Sequence, residues 1–262
     1  MTETNTNVNK VRYPFIDAVR GVCILGMIIY HTIFDVVTVF GFDYEKIMNS
    51  WVLLFIRDFG AGLFIFLSGL CFHFSSHHIK RFVVLFCAGL AVTGVSFIVS
   101  PNAPVYFGIL TFMAVSGLLL YLLDRLLKHL PPKTMCVANI LLFWVFDRMN
   151  YAYVGTYKKV LFYLPTALYK NYVTAFFGFP FNGFVSSDYF AVFPWFFMCL
   201  AGYFFYNAVK ENNTARRLGC VRLPLFPKIG KYSLYIYLAH QPIIYGIVVF
   251  VDFLLKKVGV IC

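Results

Sequence analysis

Charged residues are scarce in this sequence. Asp, Glu, Lys and Arg make up 13% of its 262 residues, against roughly 25% in ordinary soluble domains. Hydrophobic residues reach 61%, with 32 Phe and 18 Tyr, and the mean hydropathy is +0.77. A water-soluble globule of this composition could not cover its surface with polar groups, so we expect lipid to be the main solvent. The same composition excludes disordered, collagen-like and small disulfide-stapled proteins.

Acidic residues are few relative to basic ones. The sequence has 11 Asp and Glu against 22 Lys and Arg, which gives a net charge of +11. In a soluble protein this balance would suggest a nucleic-acid partner. Here the basic residues lie between apolar runs, where they act as signals of membrane topology. We therefore expect the lipid bilayer to be a partner and assign no role with nucleic acid.

Several motifs that carry chemistry are missing. The seven cysteines are scattered singly, without a Cys-x-x-Cys pair or zinc spacing, and there is no P-loop, no Gly-x-Ser-x-Gly and no dinucleotide fingerprint. His73 and His77 are one helical turn apart, but no carboxylate or Cys follows at ligand spacing, so we expect no metal. The small residues between Gly60 and Gly69 predict close helix packing rather than phosphate binding.

Seven apolar runs are candidates for membrane crossings. They cover residues 14–37, 51–74, 82–99, 105–123, 134–147, 189–208 and 232–255. The fifth is short, since a crossing takes about 20 residues, and a re-entrant or tilted helix is the alternative there. We predict an all-α membrane protein, one domain over residues 1–262, with about seven transmembrane helices.

The connections predict the orientation in a cell membrane. Thirteen of the 22 Lys and Arg fall in connections on the N-terminal side of the membrane and seven on the other. We therefore expect a cytoplasmic N-terminus and an extracytoplasmic C-terminus. Residues 1–12 are expected to form a disordered cytoplasmic tail, because their start is rich in Thr and Asn and unlike a signal peptide. The connection 147–188, before the sixth helix, is expected to be an outer lid lying partly in the interface.

The first predicted helix contains ionisable residues that a simple membrane crossing does not need. They are Asp17, Arg20, His31 and Asp35. At about 100° per residue they share a stripe less than about 90° wide, and Arg20 and His31 are about 16 Å apart along the axis. A charge at mid-bilayer costs at least ~2.5 kcal/mol, so these groups are expected to face protein or water. The alternative is an interfacial Asp17–Arg20 ion pair, with His31 as a helix-contact residue. In that case Asp35 would lie in outer water.

Other predicted helices also contain polar groups within or beside the membrane. Arg57 and Asp58 lie about 9 Å from the outer start of the second helix, near the depth of His31, although Arg57 could equally snorkel outward. His240 lies about 13 Å into the last helix, where a polar side chain before a proline could instead repair the broken hydrogen-bond ladder. Asp188 precedes the sixth helix, where a carboxylate favoured by the helix dipole is the simpler interpretation.

Five segments together resemble one known family. They are FIDAVRGVCILGMIIYHTIFD (Phe15 to Asp35), GLFIFLSGL (Gly62 to Leu70), YFGILTFMAVSGLLL (Tyr106 to Leu120), SSDYFAVFPW (Ser186 to Trp195) and IGKYSLYIYLAHQPII (Ile229 to Ile244). In this order, over nearly the whole chain, they look like bacterial proteins with the heparan-alpha-glucosaminide N-acetyltransferase catalytic domain. The spacing of Arg20 and His31 also resembles the motif of membrane acyltransferases that O-acylate bacterial surface glycans.

The resemblance implies a multi-pass enzyme that takes an acetyl group from cytoplasmic acetyl-CoA and delivers it to a sugar across the membrane. His31 matches the position expected to be catalytic, and Arg20 matches its paired basic residue. Asp188 and Trp195 match the family's DYF...PW element, and His240 matches its HQP element. The sequence departs from the family pattern at two positions. They are Ala191, where the family usually has Pro, and Thr111, where it often has His.

These arguments together predict a site. The expected catalytic residues are His31, Arg57 and Asp35; the residues expected to bind acetyl-CoA are Arg20, His240, Arg216 and Arg217; those expected to bind the sugar are Asp188, Trp195 and Asp58. An imidazole acts near neutral pH as a general base or as a transient acetyl carrier. Neither the sugar nor the choice between N- and O-transfer follows from the sequence. A transporter or flippase is the alternative function, because a charged stripe and an outer lid serve transport equally well.

Overall fold

The computed structural model describes residues 14–101, 104–156, 159–210 and 226–258. The predicted tail 1–12, together with Arg216 and Arg217, lies outside these ranges. The helices are α1 (Pro14–Phe40), α2 (Tyr44–Met48), α3 (Trp51–Leu70), α4 (His78–Val99), α5 (Ile109–Leu127), α6 (Pro132–Phe146), α7 (Tyr172–Phe177), α8 (Val192–Val209), α9 (Phe226–Lys231) and α10 (Ser233–Val258). Within the described ranges, six of them (α1, α3, α4, α5, α8 and α10) are long and apolar enough to cross a membrane. The prediction of an all-α, multi-pass membrane protein is confirmed.

Helix α6 decides the number of crossings. Its 15 residues rise about 22 Å, less than the ~30 Å of a hydrocarbon core. The helices α5 and α8 run in the same direction, because Asp188 before α8 contacts Ile109 at the start of α5. Near the other ends of these helices, Tyr203 donates to Asp124 at 2.7 Å. The chain therefore returns between them along α6, which packs against α8. Seven full crossings stays a prediction.

Small residues allow the long helices to touch. A β-carbon on Gly69 of α3 would collide with the carbonyl of Cys199 in α8, and one on Gly202 of α8 would collide with the carbonyl of Phe66 in α3. Close backbone contact of this kind holds membrane helices together where apolar burial gives little advantage over lipid. The predicted packing role of the small residues in α3 is confirmed at Gly69, whereas Gly60 faces open space.

Helix α1 lies against α9 and α10. Gly21 approaches the carbonyl of Phe226, and Gly230 approaches the carbonyl of Asp17. This crossing brings the start of α10 beside the ionisable stripe of α1, and α10 continues unbroken through Pro242. We call the end of the bundle where α1, α4 and α10 begin the basic end. The opposite end, which carries residues 147–191, is the lid end.

The connection predicted to be a lid, residues 147–188, has secondary structure of its own. An antiparallel hairpin, β1 (Tyr153–Thr156) and β2 (Lys159–Tyr163), is followed by α7. All five residues of β2 are exposed, and several are apolar or aromatic, as is typical of an element at a lipid interface. Asn171 and Thr174 form a capping box at the start of α7, and Gly178 ends this helix with φ 115°.

Two segments enter the bundle from the lid end, and we call residues 104–108 and 186–190 the re-entrant segments. Their backbones are joined by hydrogen bonds from Ser187 N to Pro104 O and from Phe190 N to Phe107 O. Just beyond them, Thr111 in α5 lies against Gly89, at the middle of α4. The predicted helix start at residue 105 was therefore wrong by four residues. An apolar run does not show that its first residues bond to another segment instead of to a helix.

Candidate functional site

A cavity of about 470 Å³ lies at the basic end, between α1, α3, α4, α5 and α10. Small-molecule sites occupy roughly 300–1,000 Å³. The polar part of its lining consists of Arg20, Ser68, Cys71, Ser75, Ser76, His77, Lys80, Arg81 and Ser233. The apolar part includes Phe64, Leu110, Met113 and Tyr237. Phe64 is about 10 Å further along α3 than Cys71, so the lining becomes apolar with depth.

Two guanidinium groups are fixed at the polar part of the cavity. Arg20 donates to Asp17 Oδ1 at 3.1 Å and to the Sγ atom of Cys71 at 3.0 Å. Arg81 donates to Ser68 Oγ at 3.4 Å. The Asp17–Arg20 ion pair considered from the sequence is present, yet Arg20 also faces the cavity. Guanidinium groups held in this way favour phosphate or carboxylate ligands. Sequence reasoning missed Arg81 as a site residue because a basic residue at a helix start is also a topology signal.

The histidine pair, His31 of α1 and His240 of α10, lies beyond the deep end of the cavity. The centroids of the two rings are 5.2 Å apart. His240 is 8% exposed, and its Nδ1 atom lies 2.5 Å from the carbonyl oxygen of Tyr237. Nδ1 therefore carries the proton of the neutral ring, and Nε2 presents a lone pair. Among the described residues, Nε2 has no hydrogen-bond partner. The sequence had predicted acetyl-CoA binding for His240, and the structure places it directly against His31.

Asp35 is buried beside the histidine pair. It is 3% exposed, and its two carboxylate oxygens accept hydrogen bonds from Gln241 Nε2 at 3.0 and 3.1 Å. It therefore lies inside the bundle and not in outer water. In the described part of the chain no hydrogen bond joins Asp35 to His31, and its predicted catalytic role stays a prediction. The Oε1 atom of Gln241 is buried and has no partner there, so it adds a second free hydrogen-bond acceptor beside Nε2 of His240.

Asp188 joins the re-entrant segments to α10. Its Oδ2 atom accepts from Ile109 N at 3.3 Å and from the hydroxyl of Tyr237 at 3.1 Å. Tyr237 also lines the cavity, and its ring centroid is 5.3 Å from that of His240. Tyr237 thus touches the cavity, the histidine pair and Asp188. Sequence reasoning missed it, because one tyrosine among 18 has no distinguishing pattern.

The remaining predicted site residues lie elsewhere. Arg57 and Asp58 pair with each other at 2.6 Å, and their side chains are 48% and 60% exposed. The ring of Trp195 lies about 5.0 Å from the rings of Phe143 and Phe190. Arg57 also forms a side-chain hydrogen bond with Tyr30, whose ring centroid is 5.6 Å from that of His31. Among the ring contacts and hydrogen bonds of the described residues, none connects Asp58 or Trp195 directly to the histidine pair. Their predicted roles stay predictions.

The other histidine cluster has structural contacts. His73 stacks on Tyr206 with ring centroids 4.4 Å apart, and His78 stacks on Phe72 at 4.3 Å. Across the ranges that the structure describes, no group of three or more His, Cys, Asp or Glu is placed to hold a metal ion.

Comparison with known families gives the class of the protein. The family model described as heparan-alpha-glucosaminide N-acetyltransferase, catalytic, matches residues 12–242. The chain belongs to this family. The match includes the cavity, the histidine pair and Asp188, and it supports a transferase activity. The resemblance seen in the five sequence segments is confirmed. No curated protein and no solved structure matches the chain.

Proposed function

We propose that the protein is a membrane acetyltransferase that moves an acetyl group from cytoplasmic acetyl-CoA to an amino or hydroxyl group of an extracytoplasmic sugar or cell-envelope glycan. One observation carries the proposal: contacts run without interruption from the basic cavity through Tyr237 to His240 and on to His31. The family match supports the transferase class, and the two connected regions are what a two-substrate reaction requires.

The basic end is the proposed site of acetyl-CoA. Acetyl-CoA has several phosphate charges at one end and the thioester at the other. Arg20, Lys80 and Arg81 in the cavity lining would bind the phosphates through charge-assisted hydrogen bonds, with Arg216 and Arg217 contributing from their connection. The apolar depth of the cavity suits the thioester arm. This arrangement puts the basic end in the cytoplasm, with the C-terminus outside, in agreement with the bias of basic residues in the connections.

The histidine pair is the proposed site of chemistry. The amino or hydroxyl group of the sugar attacks the thioester carbonyl carbon, a C–N or C–O bond forms, and the C–S bond breaks. His31 takes the proton of the attacking group and returns one to the CoA thiolate, or else carries the acetyl group transiently. Nε2 of His240 and Oε1 of Gln241, both buried acceptors without partners in the described residues, would receive N–H or O–H donors from the sugar. Burial excludes water and so limits hydrolysis.

Transfer of labelled acetyl from acetyl-CoA to sugars by the purified protein tests this proposal. The sugars should include one with a free amino group and one with hydroxyl groups alone. We expect His31→Ala to lower the rate by at least about 100-fold, the lower bound of what a general base contributes. His129→Ala is the matched control, because His129 is an exposed histidine just after α5, and its rate should equal that of the wild type.

Equilibrium binding of labelled acetyl-CoA separates loss of chemistry from loss of folding. His31→Ala should bind the donor as the wild type does. A His31→Ala protein that binds acetyl-CoA and still transfers at the wild-type rate would show that His31 has another role. Sugar counterflow in sealed vesicles, together with no transfer or hydrolysis of acetyl-CoA, would favour the transporter instead.

A further inference from the structure

Tyr237 closes the deep end of the cavity. It lines that end with Leu110 and Met113. Its hydroxyl donates to Asp188, which also accepts from the backbone of Ile109. The phenol ring is therefore positioned against the start of α5. The histidine pair lies on the other side of the Tyr237 ring from the cavity, because the rings of Tyr237 and His240 are in contact.

The polarity of the cavity sets the direction in which a CoA ester would lie. Lys80 and Arg81 belong to the first turn of α4, whereas Leu85 lies one turn deeper. The same change occurs on α10, where Ser233 precedes Tyr237 by one turn. A ligand with phosphates at one end and an acyl group at the other is bound best with its acyl group at the apolar end. That end is formed by Tyr237.

We propose that Tyr237 determines which acyl group the protein accepts, because its ring ends the cavity where an acetyl group fits and a longer chain does not. This inference rests on the proposed function, since it requires a CoA ester in the cavity. Protein interiors are close-packed, and extra methylene groups in a filled site force side chains and backbone out of place. A longer acyl chain would also push the thioester carbonyl back toward the basic end and away from His240.

Competition binding tests the inference without relying on turnover. Labelled acetyl-CoA bound to the purified protein is displaced by acetyl-CoA, butyryl-CoA or hexanoyl-CoA. In the wild type we expect hexanoyl-CoA to bind at least about 10-fold more weakly than acetyl-CoA. Tyr237→Ala should remove this difference, and Tyr237→Leu should reduce it if the alanine variant does not fold. Tyr237→Phe keeps the ring volume and should keep the preference within about threefold.

The matched control is Tyr235→Ala on the same helix, because Tyr235 is 71% exposed and lies outside the cavity lining. It should leave the ratio of the two affinities unchanged. Equal affinity of the wild type for all three esters, or an unchanged ratio in both folded variants with smaller side chains at position 237, would overturn this inference alone. If no CoA ester binds to the wild type, the proposed donor site and this inference are both wrong.

Discussion

The cavity at the basic end and the surroundings of the histidine pair differ in their physical character, although one tyrosine ring separates them. The cavity holds about 470 Å³ and is lined at one side by Arg20, Lys80 and Arg81. Beside the histidine pair, the buried carboxylate of Asp35 accepts a hydrogen bond from the neutral side-chain amide of Gln241. His240 is itself almost fully buried. The charged side chains and the buried polar groups thus occupy separate layers, which we call the donor layer and the histidine layer. One helix, α10, contributes to both layers with two residues about one turn apart, Tyr237 at the cavity and His240 in the histidine pair.

The largest effect on the transfer rate is expected for His240→Ala. If His240 binds the sugar beside His31, this change should lower the transfer rate by about 10- to 100-fold, as loss of a buried hydrogen-bond acceptor does, and leave acetyl-CoA affinity within about twofold. Turnover and competition binding on the same preparation measure both quantities. A weaker affinity with an unchanged rate would instead support the role in acetyl-CoA binding that the sequence suggested for His240.

Arg81→Ala tests the donor layer, the basic cavity in which we propose that acetyl-CoA binds. Loss of a charge-assisted hydrogen bond costs about 1.5–3 kcal/mol, so we expect the KM for acetyl-CoA to rise about 10-fold or more with little change in kcat. Arg81→Lys should restore part of the affinity, because it keeps the charge but not the fork of donors. Lys128→Ala, which removes an exposed charge after α5, is the matched control. A fall in kcat alone in Arg81→Ala would contradict the proposal that the basic cavity binds acetyl-CoA and the histidine pair carries out the chemistry.

The smallest effect is expected for Arg57→Ala. Arg57 lies outside the cavity lining, and among the described residues its link to the histidine pair runs through Tyr30. Steady-state rates with both substrates should therefore change less than about threefold. A loss of 100-fold or more would be the signature of a group that stabilises the oxyanion, and it would restore the catalytic role that the sequence predicted for Arg57.

The long helices could be read from the sequence because an apolar run of membrane length is a strong signal. The stripe of α1 was also readable, since helical periodicity alone aligns Arg20 with His31. The contact of His31 with His240 was not predicted, because the relative rotation of two helices depends on packing at positions such as Gly21 and Gly230. No pattern in either helix specifies that rotation.

The re-entrant segments and Tyr237 were beyond sequence reasoning for a different reason. Residues 105–108 belong to an apolar run, but they lie before the start of α5 and bond to residues 186–190. Tyr237 owes its importance to Asp188, which is 49 residues away in the chain. Roles that depend on partners so distant in sequence become visible only in the folded chain.

The depth reached by the re-entrant segments affects how the proposed transfer of an acetyl group across the bilayer can occur. The hydrocarbon core is about 30 Å thick, yet polypeptide from the lid end reaches the middle of α4 and bonds there to the residue that ends the cavity. In the proposed reaction, the acetyl group would need to move only past the ring of Tyr237 to reach the histidine pair. The fold itself would then shorten the distance between the two substrates, and no residue would need to carry the acetyl group from one membrane face to the other.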